Sequence, residues 1–175
     1  MKQNKYDDVN FFSAYEQMSR SVKGLEGAGE WHALKALIPD LRNKSVLDLG
    51  CGFGWHCRYA REQQASSVTG VDISEKMLQK AREMTDDPLI SYLKMAIEDI
   101  NFADSQFDVV ISSLAFHYME SFESICTKVY RLLAAEGSIT AVKEPIPSDE
   151  MLKNIPEMKD EIRRPMFLII SAEKK

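Results

Sequence analysis

Two aspartates and a set of glycines provide the residues in this sequence best suited to chemistry. Asp48 stands near the end of a short apolar run at 46–49. Glycines follow it at alternate positions, namely Gly50, Gly52 and Gly54. A loop rich in glycine turns sharply and lets its backbone approach a ligand closely. Asp72 lies about twenty residues further on, where a carboxylate can accept hydrogen bonds from ribose hydroxyls. The pattern predicts a site for a nucleotide-like ligand.

The spacing of the glycines argues against a dinucleotide or a polyphosphate. In the pattern G-x-G-x-x-G the third glycine lets the helix pack closely on the strand. Here that position falls on Trp55 or on Cys57, depending on the register. No Gly-Lys-Ser/Thr triplet follows, as a phosphate-binding P-loop requires. Asp48 would repel a pyrophosphate and attract a cationic amino group. An NAD-dependent oxidoreductase is therefore only a lesser alternative.

Composition sets limits on the class of protein. The chain has 175 residues, 45% of them hydrophobic, and a net charge of -5. This length suits one compact domain, and the acidic balance disfavours a nucleic-acid partner. No signal-peptide-like start and no membrane-spanning run is visible in the sequence. The three cysteines lack framework or zinc spacing, which predicts reduced thiols in a cytoplasmic protein without a metal site. Cys51 lacks a partnered base, so a nucleophilic role is disfavoured.

Around the glycine loop, strand-like and helix-like segments alternate. The predicted strands are 46–49, 67–71, 89–94, 107–111, 138–143 and 166–171. The predicted helices are 11–22, 30–38, 55–64, a helix through 84 that Ser74 caps, and 122–134, which Gly137 ends. The helices before the first strand either cover the mouth of the glycine loop or simply pack on the sheet. Arg20 is expected to be exposed rather than to reach an anionic ligand group.

Together these motifs resemble the class I S-adenosylmethionine-dependent methyltransferases of small-molecule type. The matching stretches occur in the family's order, from residue 11 to residue 137: VLDLGCGFGWH, VTGVDIS, AIEDINF, FDVVISSLAFHY and LLAAEG. The resemblance implies a Rossmann-like three-layer α/β/α sandwich with a mostly parallel sheet. Its strand order would be 3-2-1-4-5 plus an antiparallel last strand, with about six strands instead of the family's seven.

The resemblance also implies which residues hold S-adenosylmethionine. Asp48 and the backbone at Gly50 and Gly52 would hold the methionine part, and Asp72 would bind the ribose hydroxyls. Ile73 and Ile97 would flank the adenine, and Leu114 would close the pocket under the sulfonium. The full candidate set is Asp48, Gly50, Cys51, Gly52, Asp72, Ile73, Ile97, Glu98, Ser113 and Leu114.

On the acceptor side, the loop after the fourth strand offers His117 and Tyr118. An imidazole takes a proton near neutral pH, so His117 is the candidate general base. Tyr118 would orient the acceptor. The alternative for His117 is a structural or exposed loop histidine. We expect a small-molecule acceptor, whose identity and reacting atom the sequence does not reveal.

The C-terminal part departs from the family pattern. We expect one domain over 1–175, with a helical cover at 1–40, a cofactor-binding core at 45–143 and a helix and strand at 144–175. A full-length relative has another strand, a helix and a long excursion after the helix that ends near Gly137. The chain would thus lack an internal segment carrying much of the substrate pocket. A cofactor-binding protein of low activity, or one completed by a partner chain, is therefore an alternative. A homo-oligomer is a further expectation, because a shortened sheet edge can pair with another copy.

Overall fold

The structure, a computed structural model, describes residues 4–116, 120–142 and 169–174. The described helices are α1 (Val9–Glu16), α2 (Ser19–Lys23), α3 (Trp31–Leu37), α4 (Trp55–Glu62), α5 (Glu75–Glu83) and α6 (Phe122–Leu132). The described strands are β1 (Ser45–Leu49), β2 (Ser67–Asp72), β3 (Ile90–Lys94), β4 (Phe107–Ser113), β5 (Leu133–Val142) and β6 (Ile169–Glu173). Three-residue 3-10 turns lie at Lys5–Asp7 and Ile97–Asp99.

One sheet contains the described strands in the order β3-β2-β1-β4-β5-β6. Strands β1 to β5 pair in parallel, and β6 runs antiparallel to β5. The predicted order and the antiparallel last strand are confirmed. Because the inner strands are parallel, Leu49, Asp72 and Ser113 end β1, β2 and β4 at one edge of the sheet. The strand order reverses between β1 and β4, and ligands bind in the crevice that such a reversal opens.

Helices cover both faces of the sheet. Leu47 and Leu49 of β1 pack on the face covered by α6. Val46 packs on the opposite face, with residues of α4 and α5. All three side chains are almost completely buried, and full burial of one aliphatic side chain contributes about 1.5–3 kcal/mol. The three-layer α/β/α architecture is confirmed, and β1 is a firmly held base for the glycine loop.

The N-terminal helical region differs from the single helix predicted at 11–22. Asp8 caps α1 by accepting from the Phe11 N–H at 2.9 Å. Met18 is extended, with φ -64° and ψ 150°, and separates α1 from α2. In one continuous helix Tyr15 and Arg20 would point about 140° apart. The break allows both side chains to turn toward the same part of the molecule.

The junction between α6 and β5 also differs from the prediction. The helix ends at Leu132 rather than at residue 134, and Gly137 lies inside β5. Leu133 pairs with Phe107 of β4, and the register shifts between Phe107 and Val109. Pairing with β4 therefore takes residues 133 and 134 out of the helix, although their own propensities favour it.

The last described strand ends later than predicted. Strand β6 spans Ile169–Glu173 rather than 166–171, and it pairs with β5 over Ser138 to Val142. Residues 166–168 and the predicted C-terminal helix lie outside the described residues. The expectation of a lost internal segment stays a prediction. Within the described ranges, every helix is too short or too polar to cross a bilayer.

Candidate functional site

The glycine loop follows β1 with three positive φ angles. Gly50, Gly52 and Gly54 have φ values of 77°, 51° and 71°. A Cβ atom at Gly50 would lie 2.4 Å from the Cβ of Ala115, whereas one at Gly52 would meet nothing within 4 Å. Gly50 is thus required by internal packing. The space beside Gly52 is open to a ligand.

Asp72, at the end of β2, is bonded to this loop. Its Oδ2 accepts from the Gly52 N–H and its Oδ1 from the Ser74 N–H, each at 2.9 Å. Burial raises the pKa of Asp72, although these backbone N–H groups oppose the rise. A carboxylate has about four acceptor positions. The side chain keeps acceptor positions for hydroxyl donors of a ligand.

Asp48 is the more deeply buried carboxyl, with 1% of the residue exposed. Its Oδ2 accepts from the Cys57 Sγ at 3.3 Å, and its buried Oδ1 has no hydrogen-bond partner within the described ranges. Burial raises the pKa of Asp48 to about 7, and the Cys57 bond partly opposes this. A buried acceptor without a partner costs about 1–3 kcal/mol. A cationic donor that reached this oxygen would satisfy it.

Two buried thiols lie beneath the loop. A Cβ atom at Gly70 would lie 2.9 Å from both the Cys51 and the Cys57 sulfur. Burial raises the pKa of Cys51 to about 11 and that of Cys57 well above its ordinary value. Thiols with raised pKa values are poor nucleophiles, which agrees with the disfavoured nucleophilic role of Cys51. Among the residues that the structure describes, no group of His, Cys, Asp and Glu is arranged to hold a metal ion.

The residues predicted to border the adenine lie around the same edge. Ile97 is 5% exposed, and its Cδ1 lies 3.6 Å from the Cβ position at Gly50. Ile73 is half-buried, and its carbonyl accepts from the Asn4 side chain at 3.4 Å. Glu98 is half-buried, and its carbonyl accepts from the Lys128 ammonium. Their contact with a cofactor stays a prediction.

The end of β4 forms the other side of the crevice. The Ser113 hydroxyl donates to Glu30 Oε1 at 3.2 Å. Leu114 follows with a φ of 57°, a conformation that costs a non-glycine residue about 1–2 kcal/mol. Such local strain clusters at functional sites. His117 and Tyr118 lie outside the described residues.

The N-terminal segment lies across the glycine loop. The rings of Phe12 and Tyr15 contact the ring of Phe53 edge to face, with centroids 5.9 and 5.5 Å apart. Asp7 ties the segment to the start of α5, since its Oδ1 accepts from the Ser74 hydroxyl at 2.6 Å and the Lys76 N–H at 3.2 Å. These contacts join the segment to the loop and to the end of β2.

A partly buried ion pair lies at the end of β4. Arg20 donates to Glu30 at 2.7 Å, with side chains 23% and 5% exposed. The expectation of an exposed Arg20 is wrong, because packing of α1 and α2 draws the side chain inward. No local sequence pattern marks Glu30 as a site residue. Burial, together with the weaker effect of the Arg20 charge, lowers the pKa of His56 to about 3.

Fold and site together define the class of protein. A parallel sheet reverses its strand order beside a glycine loop and two carboxyls, as predicted for an S-adenosylmethionine site. Residues 47–141 match the methyltransferase-domain family, and the chain belongs to that family. The class is the S-adenosylmethionine-dependent methyltransferases, and its cofactor is S-adenosylmethionine.

Similar proteins agree with this class. A crystal structure of an S-adenosylmethionine-dependent methyltransferase from Mesorhizobium loti is 29% identical, with a TM-score of 0.72, and the match covers 86% of this chain and 100% of that one. A Listeria monocytogenes structure assigned to the same activity is 37% identical, with a TM-score of 0.72, covering 87% and 99%. A malonyl-[acyl-carrier protein] O-methyltransferase from Enterobacter lignolyticus is 38% identical over 105 residues. That match covers 60% of this chain and 41% of the relative's length.

Neither alternative from the sequence gains support. The family and the solved structures are methyltransferases, and Trp55 begins α4 where a dinucleotide site would have its third glycine. A binding protein of low activity has no observation in its favour.

Proposed function

We propose that this protein transfers a methyl group from S-adenosylmethionine to a small-molecule acceptor. Two observations carry the proposal: the buried Oδ1 of Asp48, which has no partner among the described residues, and the open space at Gly52 in the loop that follows. The methionine part of the cofactor has an ammonium group, which is the donor that a buried carboxylate requires. The residues present therefore fit this cofactor.

The two carboxyls hold opposite parts of the cofactor in this proposal. Asp48 would pair with the ammonium group, and Asp72 would accept from the ribose hydroxyls. Gly52 and Gly50 would let the backbone run close to the methionine part. Asp72 already accepts from the Gly52 N–H. This hydrogen bond fixes the position of the proposed ribose-binding carboxylate relative to the glycine loop.

The remaining candidate residues form the walls of the pocket. Ile73 and Ile97 would flank the adenine, with Glu98 at its rim. Leu114 would lie under the sulfonium end, with Ser113 beside it. Cys51 would contribute a small side chain and its backbone to the loop. Apolar walls with few polar groups are typical of cofactor sites.

The protein's part in the reaction is to position the reactants and exclude water. The bound cofactor supplies a methyl group that is already electrophilic because it is attached to a sulfonium. Phe12 and Tyr15, packed on Phe53, would shield the loop from solvent. Orientation of the acceptor in line with the S–CH₃ bond lowers the barrier by removing the entropy of encounter.

His117 and Tyr118 complete the proposal on the acceptor side. His117 would take the acceptor's proton, and Tyr118 would orient the acceptor. His117→Ala should leave binding of S-adenosylhomocysteine unchanged and slow methyl transfer by about 10²-fold or more. Equal transfer by the variant and the wild type would exclude His117 as the base.

Tritium labelling tests the reaction. The purified protein is incubated with a cell extract and S-adenosylmethionine labelled in its methyl group, and the extract is then divided into small molecules, protein and nucleic acid. We expect label in the small-molecule fraction. An Asp48→Asn/Asp72→Asn variant serves as the control for background transfer.

Two results would contradict the proposal in different ways. Cofactor binding without transfer above the control would favour a binding protein of low activity. Label in the protein fraction would point to a carrier-bound or protein acceptor, and the malonyl-[acyl-carrier protein] O-methyltransferase relative makes that outcome informative.

A further inference from the structure

Arg20 is a partly buried cation at the crevice between β1 and β4. Its guanidinium donates to Glu30 Oε1, and the same oxygen accepts from Ser113 at the end of β4. Its charge also acts on His56, in the first turn of α4. These neighbours place Arg20 between the start of α4 and the end of β4.

The side chain of Tyr15 connects this position to the ribose site. Burial raises the pKa of Tyr15, and the charges of Arg20, Asp72 and Glu30 all act on it as well. The Tyr15 ring also contacts Phe53 of the glycine loop. Arg20 is therefore linked through Glu30 to the end of β4 and acts electrostatically on a side chain that packs on the glycine loop.

The methionine part of the cofactor has two charges of opposite sign. Asp48 provides a partner for the ammonium, but another carboxylate near buried Asp48 and Glu30 would be strongly disfavoured without a cation. A guanidinium has five N–H donors in a planar fork that matches a carboxylate. Within the described residues, Arg20 uses one of its donors, in the bond to Glu30.

We propose that Arg20 binds the carboxylate of the cofactor's methionine part, while Glu30 and Ser113 act as positioning residues for its guanidinium. The inference rests on the proposed function. Glu30 neutralises Arg20 in the free protein, and Ser113 holds Glu30 through its hydroxyl. The cofactor would thus connect the helices before β1 to the glycine loop through its carboxylate.

Two ligands distinguish the proposed contact between Arg20 and the carboxylate from binding to the rest of the site. S-adenosylhomocysteine has the amino-acid part, and 5′-methylthioadenosine retains the adenosine and sulfur but lacks it. Calorimetry should show that Arg20→Gln weakens binding of S-adenosylhomocysteine by about 10- to 100-fold. Binding of 5′-methylthioadenosine should change by less than about twofold. Arg42→Gln is the matched control, because Arg42 pairs with Asp40 at the surface.

The double variant Arg20→Gln/Glu30→Gln guards against misfolding, since Arg20→Gln alone leaves a buried carboxylate unpaired. We expect the double variant to lose S-adenosylhomocysteine affinity as selectively as the single one. Equal weakening of both ligands, or no weakening in either variant, would overturn the role of Arg20. If the wild type binds neither ligand, the proposed function itself fails.

Discussion

Asp48 and Asp72 lie at one edge of the sheet but meet different surroundings. Asp72 accepts from two backbone N–H groups, whereas Asp48 accepts from a single thiol and keeps one unpartnered oxygen in the described part of the chain. Neutral hydroxyl donors suit Asp72, and a cation suits Asp48. The sequence predicts both because each residue stands where a strand meets a loop. It does not predict the Arg20–Glu30 pair, which depends on how α2 and α3 pack.

Two glycines of the loop offer a matched pair of substitutions. Gly50→Ala would drive a methyl group into Ala115 at 2.4 Å, so we expect a loss of about 2–4 kcal/mol in the free energy of unfolding. The methyl group of Gly52→Ala would meet nothing in the protein within 4 Å. We expect this variant to lose only about 1–2 kcal/mol in the free energy of unfolding, because the residue has a positive φ.

Gly52→Ala, which should cost little folding stability, should have a large effect on ligand binding. The new methyl group would enter the space assigned to the cofactor, so Gly52→Ala should weaken binding of S-adenosylhomocysteine by about tenfold or more. Urea unfolding and calorimetry measure the two effects. Unchanged affinity in Gly52→Ala would place the cofactor elsewhere.

The raised pKa of Asp48 predicts a pH dependence of stability. Burial raises this pKa from 3.8 to about 7. Between these values the folded chain binds a proton that the unfolded chain releases, so stability falls as pH rises through this window. Asp48→Asn cannot ionise, so it should melt above the wild type at about pH 8, by about 2–4 °C for each kcal/mol recovered.

The difference between the two proteins should shrink toward about pH 4, where Asp48 is protonated in the folded state and about half protonated in the unfolded state. The groups that face Asp48 are Cys51, Cys57, Asp72 and Tyr92, and burial raises the pKa of each. These groups are the same in both proteins. Scanning calorimetry from about pH 4 to 8 measures the difference in melting temperature between Asp48→Asn and the wild type. A difference that stays constant with pH would contradict the raised pKa of Asp48.

The elements differ in how far their own sequence determines them. Strand β4 is buried on both faces, and its central residues 109–111 form a continuous apolar run, as is typical of a parallel strand. The break at Met18 and the end of α6 at Leu132 depend instead on tertiary contacts. Helix propensity favours continuation at both places, so the sequence pattern alone predicts longer helices.

The N-terminal segment is predicted to dock through Asp7. Burial would raise the pKa of Asp7, but hydrogen bonds from Ser74, Lys76 and Asn4 outweigh it and lower the pKa. Asp7→Ala should therefore cost about 1–2 kcal/mol and speed hydrogen exchange both in α1 and in the first turn of α5.

Asp8→Ala is the matched control, because Asp8 caps α1 and its side chain accepts from Phe11. Loss of this cap should speed exchange in α1 alone and cost about 1 kcal/mol. Mass spectrometry of exchange in peptides from both regions makes the comparison. The same exchange pattern in the two variants would show that Asp7 does not dock the segment on α5.

At the scale of the whole molecule, the strand order determines where the chemistry lies. The reversal between β1 and β4 opens the crevice, and the parallel register brings the ends of β1, β2 and β4 to one edge. The order of the motifs in the sequence predicts this position of the crevice, because the strand order follows from the family resemblance. The acceptor's identity does not follow, because shape and polarity on the acceptor side depend on residues far apart in the sequence.

Calorimetric titration of the purified protein with S-adenosylhomocysteine and with NAD tests the central claim most directly. We predict that one S-adenosylhomocysteine binds per chain, that NAD does not bind, and that Asp72→Ala weakens the binding by about 1–3 kcal/mol. Asp40→Ala, at the exposed Arg42 pair, should bind like the wild type. Binding of NAD, or equal affinity in Asp72→Ala and the wild type, would contradict an S-adenosylmethionine site at this loop.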